Sequence, residues 1–363
     1  MSAFAIYRLP HETHATIVRQ KVGEPEELLT CHALNGRRGF VVAPFEIRQD
    51  QPILLIRPDE VETIDTRNQE SMGQVHDSIQ NQATCPIDSR HDRSSYAIDF
   101  ANYHARLQQG TFSKIVLSRC AEEETTVPID PMQLFMLACE RYPRMFISLV
   151  STKKSGCWLT ATPEILLEGN GRQWRTIALA GTMKLEGEQL AFDTQASLKE
   201  GDRAGIRWTT KNIQEQRLVA SYITECLKQF TFDFREEGPL TVRAANLVHL
   251  RSDFSFTLSC SEHIGDLLHT LHPTPAVCGL PKYAACRFIV RNEHTPRRYY
   301  SGFMGPLGPE THLYVSLRCM NIEGRRYHLY AGGGLLKEST EEQEWLETEA
   351  KLETMRSLLG KSE

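Results

Sequence analysis

Short apolar runs separated by turn residues are the dominant pattern of this chain, and they predict β-strands. Three of them, ATIVRQ, GFVVAPF and PILLIRP, lie in the first sixty residues, and three more, YYSGFMGPL, THLYVSLRCMNI and RRYHLYAGGG, lie in the C-terminal third. The middle of the chain adds the predicted strands MFISLV, CWLTATPEILLEG and RTIALAG. Helical periodicity covers residues 96–110, 131–142, about 204–230 and 341–359. Because strands come in runs and hairpins rather than in strict βαβ alternation, the pattern predicts an α+β fold with largely antiparallel sheets.

One predicted strand, TFSKIVLSRC at residues 111–120, carries charges where a buried strand should be apolar. Alternation of side chains places Lys114 on the same face as Val116, and Arg119 on the opposite face. Neither face is cleanly apolar, so packing alone does not explain the strand.

The helix predicted around residue 215 has a carboxylate at the head of an apolar stripe. Glu215 is followed on that stripe by Val219, Tyr222 and Cys226. A buried carboxylate is costly unless it is paired or binds a metal. The helix alone favours the simpler alternative, in which Glu215 lies at the exposed end of the stripe and pairs with Lys211.

The last predicted helix places Glu344, Glu347 and Lys351 on one face. By itself this face is typical of a solvated acidic surface with a Glu347–Lys351 pair. Together with Glu215, however, the two glutamates would form an oxygen-rich site suited to Mg²⁺.

Two further segments are ambiguous between structure and binding. Arg318 is either a residue at the edge of a sheet or a clamp for a substrate carboxylate, since its planar guanidinium binds carboxylates through two bonds. The glycines in AGGG, residues 331–334, form a bulge or let backbone N–H groups approach an anion. The segment HPTPAVCGLPK, residues 272–282, predicts a rigid loop and a candidate pocket wall.

Composition narrows the class of protein. The 363 residues are 40% hydrophobic and 24% charged, with a formal net charge of −5, which gives no electrostatic argument for binding nucleic acid or an anionic membrane. The N-terminus does not resemble a signal peptide and no apolar run reaches the length of a membrane span, so we expect a cytoplasmic protein. Ten scattered cysteines without CxxC pairs are typical of free thiols rather than a disulfide framework or a zinc site.

Taken together, the segments between residues 112 and 351 resemble the chorismate-utilising enzymes. The blocks that carry the resemblance are FSKIVLSR, TATPEILL, ALAGT, KNIQEQRLV, LHPTPAVCGLPKYAA, YYSGFMGPLG, YVSLRCMNI and LYAGGGLLKESTEEQEWLETEAK. The resemblance implies one chorismate-binding domain over residues 1–363, with two packed, largely antiparallel sheets flanked by helices. Residues 1–95 would be its variable N-terminal part and residues 96–360 its motif-bearing catalytic part.

The same resemblance implies the roles of the site residues. Lys114 would be the general base that activates water, and Glu164 the general acid that protonates the departing hydroxyl, which requires a raised pKa of Glu164. Glu215 and Glu347 would bind Mg²⁺ directly, and Glu344 through water. The residues implied for substrate binding are Gly181, Thr182, His269, Ala276, Tyr300, Leu317, Arg318, Gly332 and Lys351.

Within the family, the segments KNIQEQRLV, YVSLR and LYAGGG are most similar to isochorismate synthases of the menaquinone type. Ala180 stands where aminodeoxychorismate synthases have a lysine, and Lys114 favours water over ammonia as the nucleophile. Two alternatives remain open, a salicylate synthase, which also eliminates pyruvate, and a non-catalytic relative that binds chorismate. The implied partner is the substrate chorismate, with no glutaminase subunit, in a monomer or homodimer.

Overall fold

Two large β-sheets form the centre of the molecule in the computed structural model, which describes residues 3–67, 83–87, 89–185, 187, 189, 192, 196–197, 205–244, 247–260 and 262–362. The first sheet has eleven strands: β1 (Ala3–Arg8), β2 (His14–Gln20), β6 (Glu60–Asp65), β7 (Ala83–Ile87), β8 (Lys114–Thr125), β9 (Phe146–Thr152), β10 (Gly156–Thr162), β16 (Gly279–Leu280), β19 (Cys319–Glu323), β20 (Arg326–Leu335) and β21 (Lys361–Ser362).

The second sheet has ten strands, and the N-terminal segment contributes to both sheets. Its strands are β3 (Glu26–Leu28), β4 (Gly39–Ala43), β5 (Ile53–Ile56), β11 (Ile165–Asn170), β12 (Gln173–Lys184), β13 (Ala196–Ser197), β14 (Phe234–Ala244), β15 (Leu247–Thr257), β17 (Phe303–Leu307) and β18 (Glu310–Val315). Among the described strands, neighbours are antiparallel except for β7 and β21, which are parallel. The prediction of largely antiparallel sheets is confirmed.

Helices cover the outer faces of both sheets. The described residues form six α-helices, α1 (Ser89–Gln108), α2 (Pro131–Arg141), α3 (Thr210–Leu227), α4 (Ile264–Leu271), α5 (Lys282–Asn292) and α6 (Glu341–Arg356), together with a 3₁₀ turn at Cys31–Leu34. One buried apolar cluster joins α2 and α6 to the first sheet, another joins α3 and α4 to the second, and a third fills the space between the sheets. This is the helix–sheet–sheet–helix arrangement that the resemblance implies. None of the described helices has the length and apolar character needed to cross a membrane.

The ends of two predicted helices follow from their capping residues. Helix α2 begins at Pro131 as predicted, with the Asp130 side chain accepting a hydrogen bond from the Met132 N–H at 3.0 Å. Helix α3 begins at Thr210 rather than near residue 204, because Thr209 caps it and accepts a bond from the Asn212 N–H at 3.2 Å. Residues 201–204 lie outside the described part of the chain.

Two long predicted strands are each divided between the sheets. The segment CWLTATPEILLEG forms β10 in the first sheet and β11 in the second, and THLYVSLRCMNI forms β18 in the second sheet and β19 in the first. The prediction of continuous strands was therefore wrong at these places. The chain crosses between the sheets at Pro163–Glu164 and again at 316–318, where Arg318 has a φ of 45°. These two crossings place Glu164 and Arg318 in the space between the sheets.

Candidate active site

A cavity of about 60 Å³ lies where the two sheet crossings meet. The crossings are bonded to each other, since the Val315 N–H donates to the Glu164 carbonyl at 2.9 Å and the Ala161 N–H donates to the Arg318 carbonyl at 3.1 Å. Ten of the residues implied by the resemblance line the cavity: Glu164, Gly181, Thr182, Glu215, Ala276, Tyr300, Leu317, Arg318, Gly332 and Lys351. The predicted loop 272–282 therefore does supply part of the pocket wall.

Lys114 begins β8 and is completely buried. Its Nζ lies 3.0 Å from Oε1 of Glu215, which projects from α3. The simpler alternative for Glu215, a pair with Lys211 at an exposed helix end, is wrong, because Glu215 is buried and pairs with Lys114 instead. Lys114, the charged residue that packing of this strand alone did not explain, thus forms an ion pair with Glu215 next to the cavity.

Glu164 is a buried carboxyl whose environment favours the protonated form. Burial raises the pKa of Glu164 to about 8, although the charges of Lys114, Lys351 and Arg318 act in the opposite direction. The predicted direction of the pKa shift of Glu164 is confirmed. A carboxyl with this pKa carries a proton at neutral pH and can donate it inside the cavity.

Arg318 directs a buried guanidinium into the same space. It donates to the Ala244 carbonyl oxygen at 3.2 Å and to Nε2 of His249. Burial lowers the pKa of Arg318 to about 10, with Tyr142 and Glu164 opposing, so the side chain stays charged at neutral pH. Because both hydrogen-bond partners are uncharged, the positive charge is available for an anionic group of a ligand.

His249 is a cavity residue that the sequence reasoning missed. It lies on β15 opposite Thr182 of β12, and its Nδ1 is 3.3 Å from both the Gly181 carbonyl oxygen and Thr182 Oγ1. Burial lowers the pKa of His249 far below its ordinary value, and Arg318 and Lys351 lower it further. The ring is therefore neutral, with Nε2 accepting from Arg318. The only sequence signal was a histidine inside the apolar run NLVHL.

Glu344 and Glu347 of α6 lie beside the cavity rather than in its lining. Glu344 is buried and pairs with Lys211, whereas Glu347 Oε1 is 2.7 Å from Lys351 Nζ. The alternative of a solvated acidic face is wrong for Glu344, although the predicted Glu347–Lys351 pair is present. Burial raises the pKa of Glu344 to about 7, the charge of Glu347 adds to this, and Lys211 opposes it.

The glycine run gives these carboxylates their space. A Cβ on Gly333 would lie 3.1 Å from Glu344 Oε2 and 3.6 Å from Glu347 Oε1, and a Cβ on Gly334 would collide with Glu215 Oε1. The three carboxylates therefore approach two consecutive residues of β20. Side chains at these two positions would push the carboxylates away, which explains why glycine follows glycine there.

The donor set suits a hard divalent cation. Glu344 Oε2 is buried without a hydrogen-bond partner among the described residues, and the three carboxylates offer only oxygen. Each carboxylate is ion-paired to a lysine, and within the described ranges no three His, Cys, Asp or Glu side chains are already grouped as a metal site. The oxygen donors thus suit Mg²⁺ in their chemistry, whereas among the described residues their present positions, each paired to a lysine, do not form a metal site.

His269 is the predicted substrate-binding residue that the structure does not bring to the cavity. It belongs to α4, and its ring stacks on that of His32 with a centroid distance of 4.2 Å. Asp266 of the same helix accepts from His32 Nδ1 at 2.7 Å. His269 thus lies in a histidine–aspartate cluster outside the cavity lining.

Comparison with known proteins matches this architecture. A family model described as "Chorismate binding enzyme" matches residues 34–360. Isochorismate synthase EntC of Escherichia coli K12 is 29% identical over 250 residues, which is 68% of this chain and 62% of that protein. Isochorismate synthase DhbC of Bacillus subtilis is 30% identical over 266 residues, 70% of this chain and 65% of that protein. The chain thus matches less than two thirds of the length of these relatives.

Solved structures show the same fold over nearly the whole chain. DhbC of Bacillus anthracis superposes with a TM-score of 0.79 and 23% identity, covering 98% of this chain and 96% of that one. The menaquinone-specific isochorismate synthase MenF of Escherichia coli superposes with a TM-score of 0.75 and 22% identity, covering 99% and 89%. By the match of the family model and by its fold, this chain belongs to the chorismate-binding enzyme family.

Proposed function

We propose that the protein is an isochorismate synthase, which converts chorismate reversibly to isochorismate with Mg²⁺. The observation that carries the proposal is a buried lysine and a protonated glutamate beside one cavity that also holds cationic groups for carboxylates. Chorismate has two carboxylates, and Arg318 and Lys351 are the cationic residues in the cavity lining. The similarity to proteins named isochorismate synthases supports the same reaction.

In the proposed reaction, Lys114 acts as an uncharged amine, so the proton of its ammonium must leave before the step begins. It then takes a proton from a water molecule whose oxygen forms a bond to C2 of the ring. The two conjugated double bonds shift, the C4–oxygen bond breaks, and Glu164 donates its proton to the departing hydroxyl, so that one water enters and one leaves. Both groups are buried, which keeps bulk water from exchanging their protons. The guanidinium of Arg318 and the ammonium of Lys351 hold the carboxylates and fix the ring.

Glu215, Glu344 and Glu347 are the residues that would hold Mg²⁺. When bound, the ion supplies positive charge that orients a carboxylate of the substrate and neutralises its charge. The backbone at Gly333 and Gly334 leaves room for the three carboxylates.

The test is an NMR or HPLC assay of purified protein with chorismate and Mg²⁺, with and without EDTA. A mixture of chorismate and isochorismate that EDTA abolishes would support the proposal. Salicylate with pyruvate would instead identify a salicylate synthase. Chorismate that binds but stays unchanged would identify a non-catalytic relative.

We further propose a cytoplasmic enzyme, monomeric or homodimeric, that serves menaquinone synthesis without a glutaminase subunit. The support for menaquinone is the similarity of KNIQEQRLV, YVSLR and LYAGGG to that type of isochorismate synthase. The isochorismate synthases EntC and DhbC match this chain as closely as MenF of Escherichia coli does, so the measurement that decides is the menaquinone content of cells depleted of the protein. Unchanged menaquinone would contradict this part of the proposal.

A further inference from the structure

Three carboxylates and three ammonium groups meet beside the cavity in one-to-one pairs. Glu215 pairs with Lys114, Glu344 with Lys211, and Glu347 with Lys351. When all six groups are ionised their charges cancel, so a divalent cation that entered without further change would add two uncompensated positive charges. At least one lysine must therefore respond when a cation binds.

Two of the three lysines, Lys114 and Lys351, lie on the side of the cluster that faces the cavity. Lys114 is completely buried next to the cavity, and Lys351 lines the cavity and donates to the Gly332 carbonyl oxygen at 2.8 Å. Lys211 differs, because its side chain is partly exposed outside the cavity. It lies in the first turn of α3 and lines a neighbouring open recess together with Thr182, Asn212 and Glu347.

Lys211 also lies in the field of all three carboxylates. The charges of Glu344, Glu347 and Glu215 all act on its ammonium, and that of Glu344 acts most strongly. Its ammonium binds one oxygen of Glu344 and leaves the buried Oε2 without a partner. A single, partly exposed cation thus feels the charge of all three carboxylates and contacts one of them, Glu344.

We propose that Lys211 is the internal counter-ion of this carboxylate cluster and that Mg²⁺ displaces its ammonium from Glu344 into the adjacent recess. The inference rests on the proposed metal site and deepens it. Lys211 is then a positioning residue that keeps Glu344 in place without the metal and lowers the affinity for Mg²⁺. Since the paired cluster is already neutral, Mg²⁺ binds more favourably when the dianionic substrate enters with it.

The test is isothermal titration calorimetry of Mg²⁺ into the full chain without chorismate, comparing wild type with Lys211→Met. Methionine keeps most of the aliphatic stem and removes the charge. We expect Kd for Mg²⁺ to fall at least tenfold in Lys211→Met, and to stay within about twofold of wild type in Lys211→Arg. Lys228→Met is the matched control, because Lys228 follows the same helix and pairs with the exposed Glu225.

A second measurement does not depend on metal affinity alone. Without Mg²⁺, Lys211→Met should melt at a lower temperature than wild type, because Glu344 loses the partner of its buried carboxylate. Saturating Mg²⁺ should raise the melting temperature by more in the variant than in wild type. If Lys211→Met does not fold, Lys211→Gln keeps a donor for Glu344 and removes only the charge.

The outcomes separate the inference from the proposed function. Wild type that binds Mg²⁺ with Kd unchanged or raised in both uncharged variants would overturn the role of Lys211 alone. Wild type that binds no Mg²⁺, even with chorismate present, would overturn the metal site and the inference with it. Tighter binding in the uncharged variants but not in Lys228→Met would support the inference.

Discussion

Glu164 and Glu215 are two buried glutamates of one cavity, and their environments act in opposite directions. Burial raises the pKa of Glu164 to about 8, while Lys114, Lys351 and Arg318 only weaken that shift. Burial also acts to raise the pKa of Glu215, but Lys114 and Lys211 outweigh it, so the pKa is lowered. The difference follows from contact, since Lys114 Nζ lies 3.0 Å from Glu215 Oε1.

Their places in the fold explain this difference. Glu164 lies where the chain passes from one sheet to the other, next to Arg318, whereas Glu215 projects from α3 towards the lysines. One side of the cavity thus holds a proton on Glu164, and the other side holds Glu215 in ionised form. The first suits a general acid and the second suits a cation.

We expect the largest effect from replacing Lys114, because its charge acts on the pKa of both Glu164 and Glu215. Lys114→Met keeps much of the buried volume, removes the proposed base and leaves Glu215 without its ion pair. We expect kcat for isochorismate formation to fall by about 10⁴-fold, measured by HPLC. Lys154→Met, at a partly exposed lysine, serves as control and should keep its activity. A Lys114→Met enzyme with wild-type kcat would rule out Lys114 as the base.

A pair of neutral substitutions should separate the two glutamates. Glu164→Gln removes the proton donor, so we expect kcat to fall by about 10³-fold while Kd for Mg²⁺ changes less than about twofold. Glu215→Gln removes a proposed ligand, so we expect Kd for Mg²⁺ to rise at least tenfold. Calorimetry and steady-state kinetics on both variants measure the difference. Loss of Mg²⁺ affinity in Glu164→Gln with none in Glu215→Gln would reverse the assignment.

A smaller effect is expected from filling the space next to Glu215. In Gly334→Ala the new methyl group collides with Glu215 Oε1 and comes within 2.9 Å of Lys114 Cε. We expect activity to fall by about 10²-fold, because displacement by a fraction of an ångström disturbs the pair. Gly308→Ala is the control, since the nearest atom to its Cβ would be 3.9 Å away. Equal activities of the two variants would show that Gly334 is not needed for the pair.

The motif residues of the site could be predicted from the sequence, because blocks such as FSKIVLSR and TATPEILL carry their chemistry in short segments. Ion-pair partners could not be predicted in the same way. Spacing along α3 suggested a Glu215–Lys211 pair, yet Glu215 meets Lys114 from another strand and Lys211 meets Glu344 from another helix. These pairs join segments that are about one hundred residues or more apart, and helical periodicity contains no such information.

The sheet crossings were missed for a related reason. In CWLTATPEILLEG and THLYVSLRCMNI apolar residues continue on both sides of the crossing, so their pattern is the same whether they remain in one sheet or pass to the other. Only packing against both sheets decides that the chain turns at Glu164 and Arg318. His249 was missed because a lone histidine in an apolar strand is ordinary until its neighbours Arg318 and Gly181 are known.

The smallest expected effect concerns stability, where the two glutamates should give opposite pH dependence. Between the ordinary value of 4.5 and about 8, the unfolded chain releases the proton of Glu164 and the folded chain keeps it. This contribution to the free energy of unfolding therefore falls as pH rises through that window. Glu215 has a lowered pKa, so its contribution is present above 4.5 and is lost as pH falls through the folded value. Melting temperatures of metal-free protein between pH 3 and pH 9 test both signs. Relative to wild type, Glu164→Gln should become more stable as pH rises, whereas Glu215→Gln should be the less stable protein at neutral pH and recover towards acid pH. If both variants followed wild type in parallel, the two carboxyl groups would have the same environment, and the division of the cavity into a proton-donating side and a cation-binding side would be wrong.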